Sequence, residues 1–200
     1  MGLRNRNLKN KRESILDAAQ QAFIDEGYDN SSMDRIAEIA GASKRTVYNH
    51  FPSKENLFQH VLERMMAESI AKKQIRYDPT RSLEEQLGSF ADAKMEIMKN
   101  PVWLGMWKVT LGVFMNHPDL VREAVMRAED REDYLAGWLT AAHEDGRLNV
   151  PNPSLSAVVF WAMVGGAFFW PALLMGPMET EAAEPIKKEL IQMFLARYRT

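Results

Sequence analysis

The 200-residue sequence predicts an all-α protein of about nine helices, and two observations carry the prediction. Apolar residues recur at helical spacing along the chain, and no window sustains the apolar/polar alternation of a strand. Gly, Pro, Asn and Ser fall between these stretches at helix-length intervals, where caps and breakers belong. The composition is globular: 46% apolar, 26% charged, with 9 Pro and 11 Gly scattered rather than clustered, which excludes disordered and fibrous classes. The absence of Cys excludes a disulfide scaffold, thiolate zinc sites, iron–sulfur ligation and a cysteine nucleophile, and makes a reducing compartment the default.

Ile15, Ala19, Ala22 and Phe23 give the first helix, about Lys9 to Glu26, an apolar face, and Gly27 ends it. Ser31 or Ser32 caps a second helix that turns Ile36, Ala37, Ile39 and Ala40 inward, with Asp34 placed as in a capping box on Ser31. Gly41-Ala42 makes a tight turn. Ser43 then caps a short third helix, Lys44 to His50, whose apolar anchors are Val47 and the flanking Phe51. Pro52 stops it and Ser53 caps a long fourth helix toward Ile75, carried by Leu57, Phe58, Val61, Leu62 and Met65. Further helices are expected at about Ser82–Lys99, Val102–Met115, Pro118–Glu144, Pro153–Met175 and Glu179–Arg199. The division expected is a domain over residues 1–54, extending into the linking helix 53–75, and a second over 55–200.

Charge separates the two parts. Residues 1–54 hold nine basic against seven acidic residues, and residues 55–200 hold sixteen against twenty. Arg4, Arg6, Lys9, Lys11 and Arg12 all precede the first acid, Glu13, so a basic arm leads into the first helix. No apolar stretch of signal-peptide length follows Met1, and the expected location is the cytoplasm. Ser154 to Met175 runs for twenty-two residues without a charge, long enough to span a bilayer. No polybasic flank orients it, and Gly165, Gly166 and Pro171 interrupt it, so burial between helices or subunits is the expectation rather than membrane insertion.

The segment from Ser31 to Lys54 has helix-turn-helix anatomy: a short helix, a Gly-containing turn, and a second helix exposing donors, acceptors and one aromatic. Lys44 and Arg45 suit phosphate or guanine, Thr46 and Asn49 suit base edges or methyls, and Tyr48 and His50 suit phosphate oxygens. Lys54 starts a helix, where backbone N–H groups also favour phosphate. A solvated surface helix is the plain alternative, with Tyr48 and Phe51 partly in the core and His50 as a cap. The basic arm adds phosphate or minor-groove contacts as a further expectation.

From Ile36-Ala37 through Ala40-Gly41 and Tyr48-Asn49-His50-Phe51-Pro52-Ser53-Lys54 to Leu57, the sequence resembles the N-terminal signature of the TetR family of transcriptional repressors, over about residues 11–60. The resemblance implies DNA contact at Ser32, Ser43, Lys44, Arg45, Thr46, Tyr48, Asn49, His50 and Lys54. Arg45 stands where many members have Gly, and Asn49 where an aromatic or His is frequent, which bears on the sequence read. Ala128 to Arg131, Gly146-Arg147-Leu148 and Pro153 also look like one subgroup of the family.

All five Trp lie after residue 100. Trp103, Met106, Trp107, Phe114 and Met115 cluster on one predicted helix, with Phe90, Met95 and Met98 before it and Tyr134, Trp138 and His143 after. Packed core is the plain reading, but Met and aromatic linings are adaptable, and the resemblance implies a ligand cavity among these helices. The expected effector is apolar or aromatic. The resemblance also implies a homodimer through the last two long helices, and the residues agree. Val158, Ala162, Gly165, Gly166 and Phe169 form a face with small residues at its centre, and Ile186, Leu190, Met193, Phe194 and Arg197 form a stripe. A two-fold dimer would read a roughly palindromic double-stranded operator.

Catalysis finds little support: no HExxH, no phosphate loop and no nucleophile with an evident base occur. His117, Asp119 and His143 read as solvated helix ends rather than metal ligands, and no cofactor is expected. A helix-turn-helix used for protein contact is the other alternative, separable by salt-dependent DNA affinity.

Overall fold

A computed structural model describes residues 3–71, 75–129 and 134–200, with side chains described over 10–67, 75–126 and 134–200. Arg4, Arg6 and Lys9 of the basic arm therefore lie outside the described side chains. The elements are α1 (Leu3–Glu26), α2 (Met33–Ile39), α3 (Lys44–His50), α4 (Lys54–Ala71), α5 (Leu83–Met98), α6 (Pro101–Asn116), α7 (Pro118–Glu129), α8 (Tyr134–Glu144), α9 (Pro153–Val164), a π-helical turn (Gly165–Phe169), α10 (Trp170–Met175) and α11 (Thr180–Tyr198). Among the described residues the one extended pairing is an antiparallel bridge between Leu148 and Arg199. The all-α expectation holds. The single helix expected over 118–144 is described as two, on either side of residues 130–133.

The chain forms two compact units. The first holds α1, α2, α3 and α4 up to Glu68, with α6 from Gly105 and α7; the second holds α5, α6 up to Leu104, and α8 to α11.

In the first unit, Ile15, Ala19, Ala22 and Phe23 of α1, Ile36 and Ala37 of α2, Val47 of α3 and Leu57, Phe58, Val61, Leu62 and Met65 of α4 are all buried. Ile39 is exposed instead of inward, because the buried seam of α2 runs through Met33, Ile36, Ala37 and Ala40 and leaves residue 39 on its flank. Ser32, not Ser31, caps α2, accepting from the Arg35 N–H at 3.1 Å, so Asp34 makes no capping box. Ser31 is buried and donates to the Tyr28 carbonyl at 2.8 Å. Arg64 of α4 reaches α1, donating to Asp17 Oδ1 at 2.7 Å and Gln20 Oε1 at 2.9 Å. A Cβ on Gly105 of α6 would meet Ile24 Cγ2 of α1 at 3.2 Å, so glycine permits this close approach.

The second unit is organised around Gln86, which is buried. Its Oε1 accepts from the Trp138 indole N–H at 3.1 Å and the Asp78 N–H at 2.8 Å, while its Nε2 donates to the Asp78 carbonyl at 2.9 Å. Arg147 holds the same loop from outside, donating to the carbonyls of Pro79 at 3.1 Å and Arg81 at 3.0 Å. Phe90, Trp138, Phe160 and Phe194 form the aromatic core, with Phe160 and Phe194 edge to face at 5.3 Å. The predicted helix Pro153–Met175 contains the π turn, in which the Trp170 N–H bonds the Gly165 carbonyl. Pro171 follows, has no N–H and cannot continue a regular ladder, and a widened turn before it accommodates that loss.

Candidate nucleic-acid interface and effector domain

The seven residues of α3 are too few to be stable alone, and both ends are fastened. Ser43 Oγ accepts from the Thr46 N–H at 3.1 Å, and Val47 and the C-terminal Phe51 are fully buried. With Val47 inward, residues 44, 45, 48 and 49 fall on one outward arc by helical spacing. Lys44, Arg45, Tyr48 and Asn49 are all exposed there, Tyr48 at 49%. Thr46 and His50 sit at the flanks, half-buried. The aromatic ring on the arc can stack or hydrogen-bond, the two cations can meet phosphate or guanine, and Asn49 can address a base edge.

The turn before α3 fixes its direction. Gly41 has φ +54°, and the N–H groups of Gly41 and Ala42 bond the carbonyls of Glu38 at 3.1 Å and Ala37 at 2.9 Å, the paired geometry that ends a helix through a left-handed residue. Lys11 donates to the Ala40 and Gly41 carbonyls at 3.2 and 2.9 Å, and the Arg12 guanidinium lies 5.0 Å from the Phe51 ring centre. These two members of the basic arm thus hold the turn before α3 and the residue that ends it.

Lys54 is tied to the loop before α2. Its ammonium donates to the carbonyls of Tyr28 at 2.7 Å, Ser31 at 3.1 Å and Asp29 at 3.2 Å, and stands 4.5 Å from the Tyr28 ring centre. Three protein carbonyls thus lie within hydrogen-bond distance of the ammonium, which organises the loop into α2. Burial and the nearby Glu55 carboxylate hold the Tyr28 phenol well above the usual tyrosine range. Ser32 and Ser43 are exposed caps, with Ser43 Oγ also 2.8 Å from Thr46 Oγ1. Lys44 pairs with Asp34 at 2.5 Å across an exposed surface, a contact of small energy that a phosphate can displace.

The predicted effector residues are divided between the two units. Met106, Trp107 and Phe114 belong to the first unit, with Phe114 43% exposed; the others belong to the second. There Phe90 meets Trp138 and Trp161 edge on, at 6.1 and 6.2 Å, and the Trp138 N–H is held by Gln86, so Phe90 and Trp138 are core. Tyr134 is half-buried. Trp103 is buried with its ring 5.8 Å from that of Phe169. Met95 and Met98 border a gap barely large enough for one water, with Phe168, Ala172 and Met178 opposite. Sequence reasoning missed Lys94, Phe168 and Gln86. Only Lys94 left a signal, as a cation in an apolar helical register.

The run Pro153–Met175 is long and apolar enough to cross a membrane by length and composition, and 28% of its most apolar window is buried within the chain. Val158 at 62%, Ala162, Gly166 and Leu174 at 78% are exposed along it, as are Ile186 and Met193 on α11. Gly165, Phe169 and Leu190 are half-buried. Phe194 faces Phe160 inside the chain's own core, so it is not part of the exposed stripe.

Known proteins carry the same two parts. Residues 15–61 match the tetR family of bacterial regulatory proteins, and residues 85–200 match the C-terminal domain of AefR-like transcriptional repressors. A TetR family regulator from Pseudomonas syringae pv. tomato is 34% identical, with a TM-score of 0.76 over 95% of this chain and 97% of that one. The flavonoid-responsive regulator FrrA is 26% identical, with a TM-score of 0.75 over 96% of this chain and 98% of its own. The HTH-type transcriptional regulator YhgD of Bacillus subtilis is 25% identical over 74% of this chain and 78% of its own length. Matched at both its reading head and its C-terminal half, the chain belongs to the TetR family of transcriptional regulators, DNA-binding proteins rather than enzymes.

Proposed function

We propose that this regulator is a cytoplasmic repressor that binds a roughly palindromic operator as a homodimer and is released by a small apolar or aromatic effector. The observation that carries the reading is the exposed arc of Lys44, Arg45, Tyr48 and Asn49 on a helix fastened at both ends. Residues 1–54 serve as the DNA-binding domain, with Ser32, Ser43, Thr46 and His50 beside the arc, and residues 55–200 serve effector binding and dimerisation. Lys54 contributes its position at the start of α4 and not its charge.

The dimer reading rests on the exposed apolar surface of Pro153–Met175 and α11. A face with Val158, Ala162, Gly166 and Leu174 in water is costly for a lone chain, and a second copy laid on it removes that area. Two-fold pairing sets two copies of α3 at the spacing of successive major grooves, about 34–36 Å. The effector favours a dimer state with a different spacing, with α4 as the covalent path between the parts, so coupling is a difference in affinity between two states. The responsiveness of FrrA to flavonoids, as its name states, supports an aromatic effector class.

Selection of random duplexes by the full-length protein tests this. Enriched sequences with inverted half-sites about one helical turn apart are expected. Enrichment of nothing, with the protein folded, would leave the helix-turn-helix as a protein-contact unit.

A further inference from the structure

The large buried apolar side chains of α5 include Leu83, Leu87, Phe90 and Met98, and Lys94 falls on the same face, four residues after Phe90 and four before Met98. A lysine there keeps its stem among apolar neighbours. The acids nearest in sequence are engaged elsewhere: Asp92 pairs with Lys187 at 2.7 Å and Glu96 with Lys99 at 3.4 Å. No carboxylate lies within ion-pair distance of Lys94 among the described residues, and burial alone pushes its ammonium below the usual lysine range. What the ammonium does meet is an aromatic ring: Nζ stands 5.9 Å from the centre of Trp103. The ring of Phe169, in the π turn, stands 5.8 Å from that of Trp103, and widened turns recur at functional sites. The small gap bordered by Met95, Met98 and Phe168 takes in the chain neighbours of Lys94 and Phe169, and its unbranched methionines can swing aside. All of these residues lie in the second unit.

We propose that Lys94, Trp103 and Phe169 form the recognition point for a carboxylate-bearing effector with an aromatic or aliphatic body. The carboxylate pairs with the Lys94 ammonium, and the body lies against the two rings after Met95 and Met98 give way. The half-buried cation has no anionic partner among the described residues, and an acidic ligand supplies one. This rests on the effector reading above and narrows it to organic anions.

The test uses the full-length protein with benzoate, indoleacetate and octanoate, each beside its primary amide, read by titration calorimetry and by release of selected DNA. At least one acid is expected to bind roughly tenfold to a hundredfold tighter than its amide. Lys94→Met removes that preference, and Lys94→Arg keeps most of it. Without ligand, Lys94→Met melts higher than the parent, which a merely structural lysine would not show. An amide that binds as tightly as its acid and releases DNA overturns the role of Lys94 while the effector reading stands. An acid bound undiminished by Lys94→Met overturns it equally. Binding by none of the six compounds overturns both readings for these bodies.

Discussion

Lys54 donates to the carbonyl oxygen of Tyr28 at 2.7 Å while standing over the Tyr28 ring, so the first charge of α4 closes the loop that leads into α2. A charge-assisted contact of this kind contributes about 1.5–3 kcal/mol, and removing it leaves carbonyls unpaired. Lys54→Met is expected to lower the melting temperature by several degrees, and any loss of DNA affinity should track loss of folded protein. The slope of log affinity against log salt should stay at the parent value, because no phosphate contact is removed.

Lys44 should behave in the opposite way. Its partner Asp34 is exposed, so Lys44→Ala changes stability by no more than about 0.5 kcal/mol in thermal melts. If each subunit places Lys44 on a phosphate, the salt slope falls by roughly 0.9 per contact and about twice that for a dimer. Arg45→Ala and Asn49→Ala should instead change which bases are tolerated, read by competition with substituted operators.

Gln86 is a third test, confined to stability. Gln86→Leu keeps the volume but leaves the Trp138 indole N–H and the Asp78 N–H without their shared acceptor. The unpaired buried indole N–H costs about 1–3 kcal/mol and the part-buried Asp78 N–H less, so denaturant titration should show a loss of at least about 1 kcal/mol. A variant as stable as the parent would mean that the loop at Asp78 does not depend on this side chain.

The exposed face of α9 gives a prediction on assembly. Val158→Arg places a charge at the centre of a surface proposed to meet its own copy. Sedimentation should then report monomers where the parent is dimeric, and the monomer should bind a full operator far more weakly. A parent that sediments as a monomer at micromolar concentration, or a Val158→Arg dimer, would place the interface elsewhere.

Lys94 carries the pH dependence. Its folded-state ammonium sits below the usual lysine range because burial disfavours the charged form. The unfolded chain therefore binds more protons than the folded one between the two values, and the contribution of this group to stability rises with pH through that window. Lys94→Met should melt above the parent at neutral pH, and the difference should shrink as pH climbs into the lysine range. A gap that is constant with pH would show that packing, not charge, separates the two proteins.

The first unit was legible because periodicity and capping dictate it locally. Ile15, Phe23, Val47, Leu57 and Leu62 all face inward as spacing requires, and the Gly41 turn follows from a residue that tolerates positive φ. What spacing could not reveal is where long side chains end. Lys11 and Lys54 look like phosphate ligands in a one-dimensional sequence, yet carbonyls brought near by folding take up both. The effector residues were harder still, since a buried Trp138 fastened to Gln86 and a Trp103 facing a lysine share one composition signal. The π turn was illegible as such, although Gly165, Gly166 and Pro171 marked an irregularity there.

The measurement closest to the central claim is binding of the full-length protein to the DNA upstream of its own coding region, by mobility shift at two salt concentrations with excess nonspecific competitor. A specific complex weakened by salt, abolished by Tyr48→Ala and weakened by Lys44→Ala in folded protein, is the predicted result. Specific DNA binding that survives both substitutions unchanged would contradict the assignment of α3 as the reading helix.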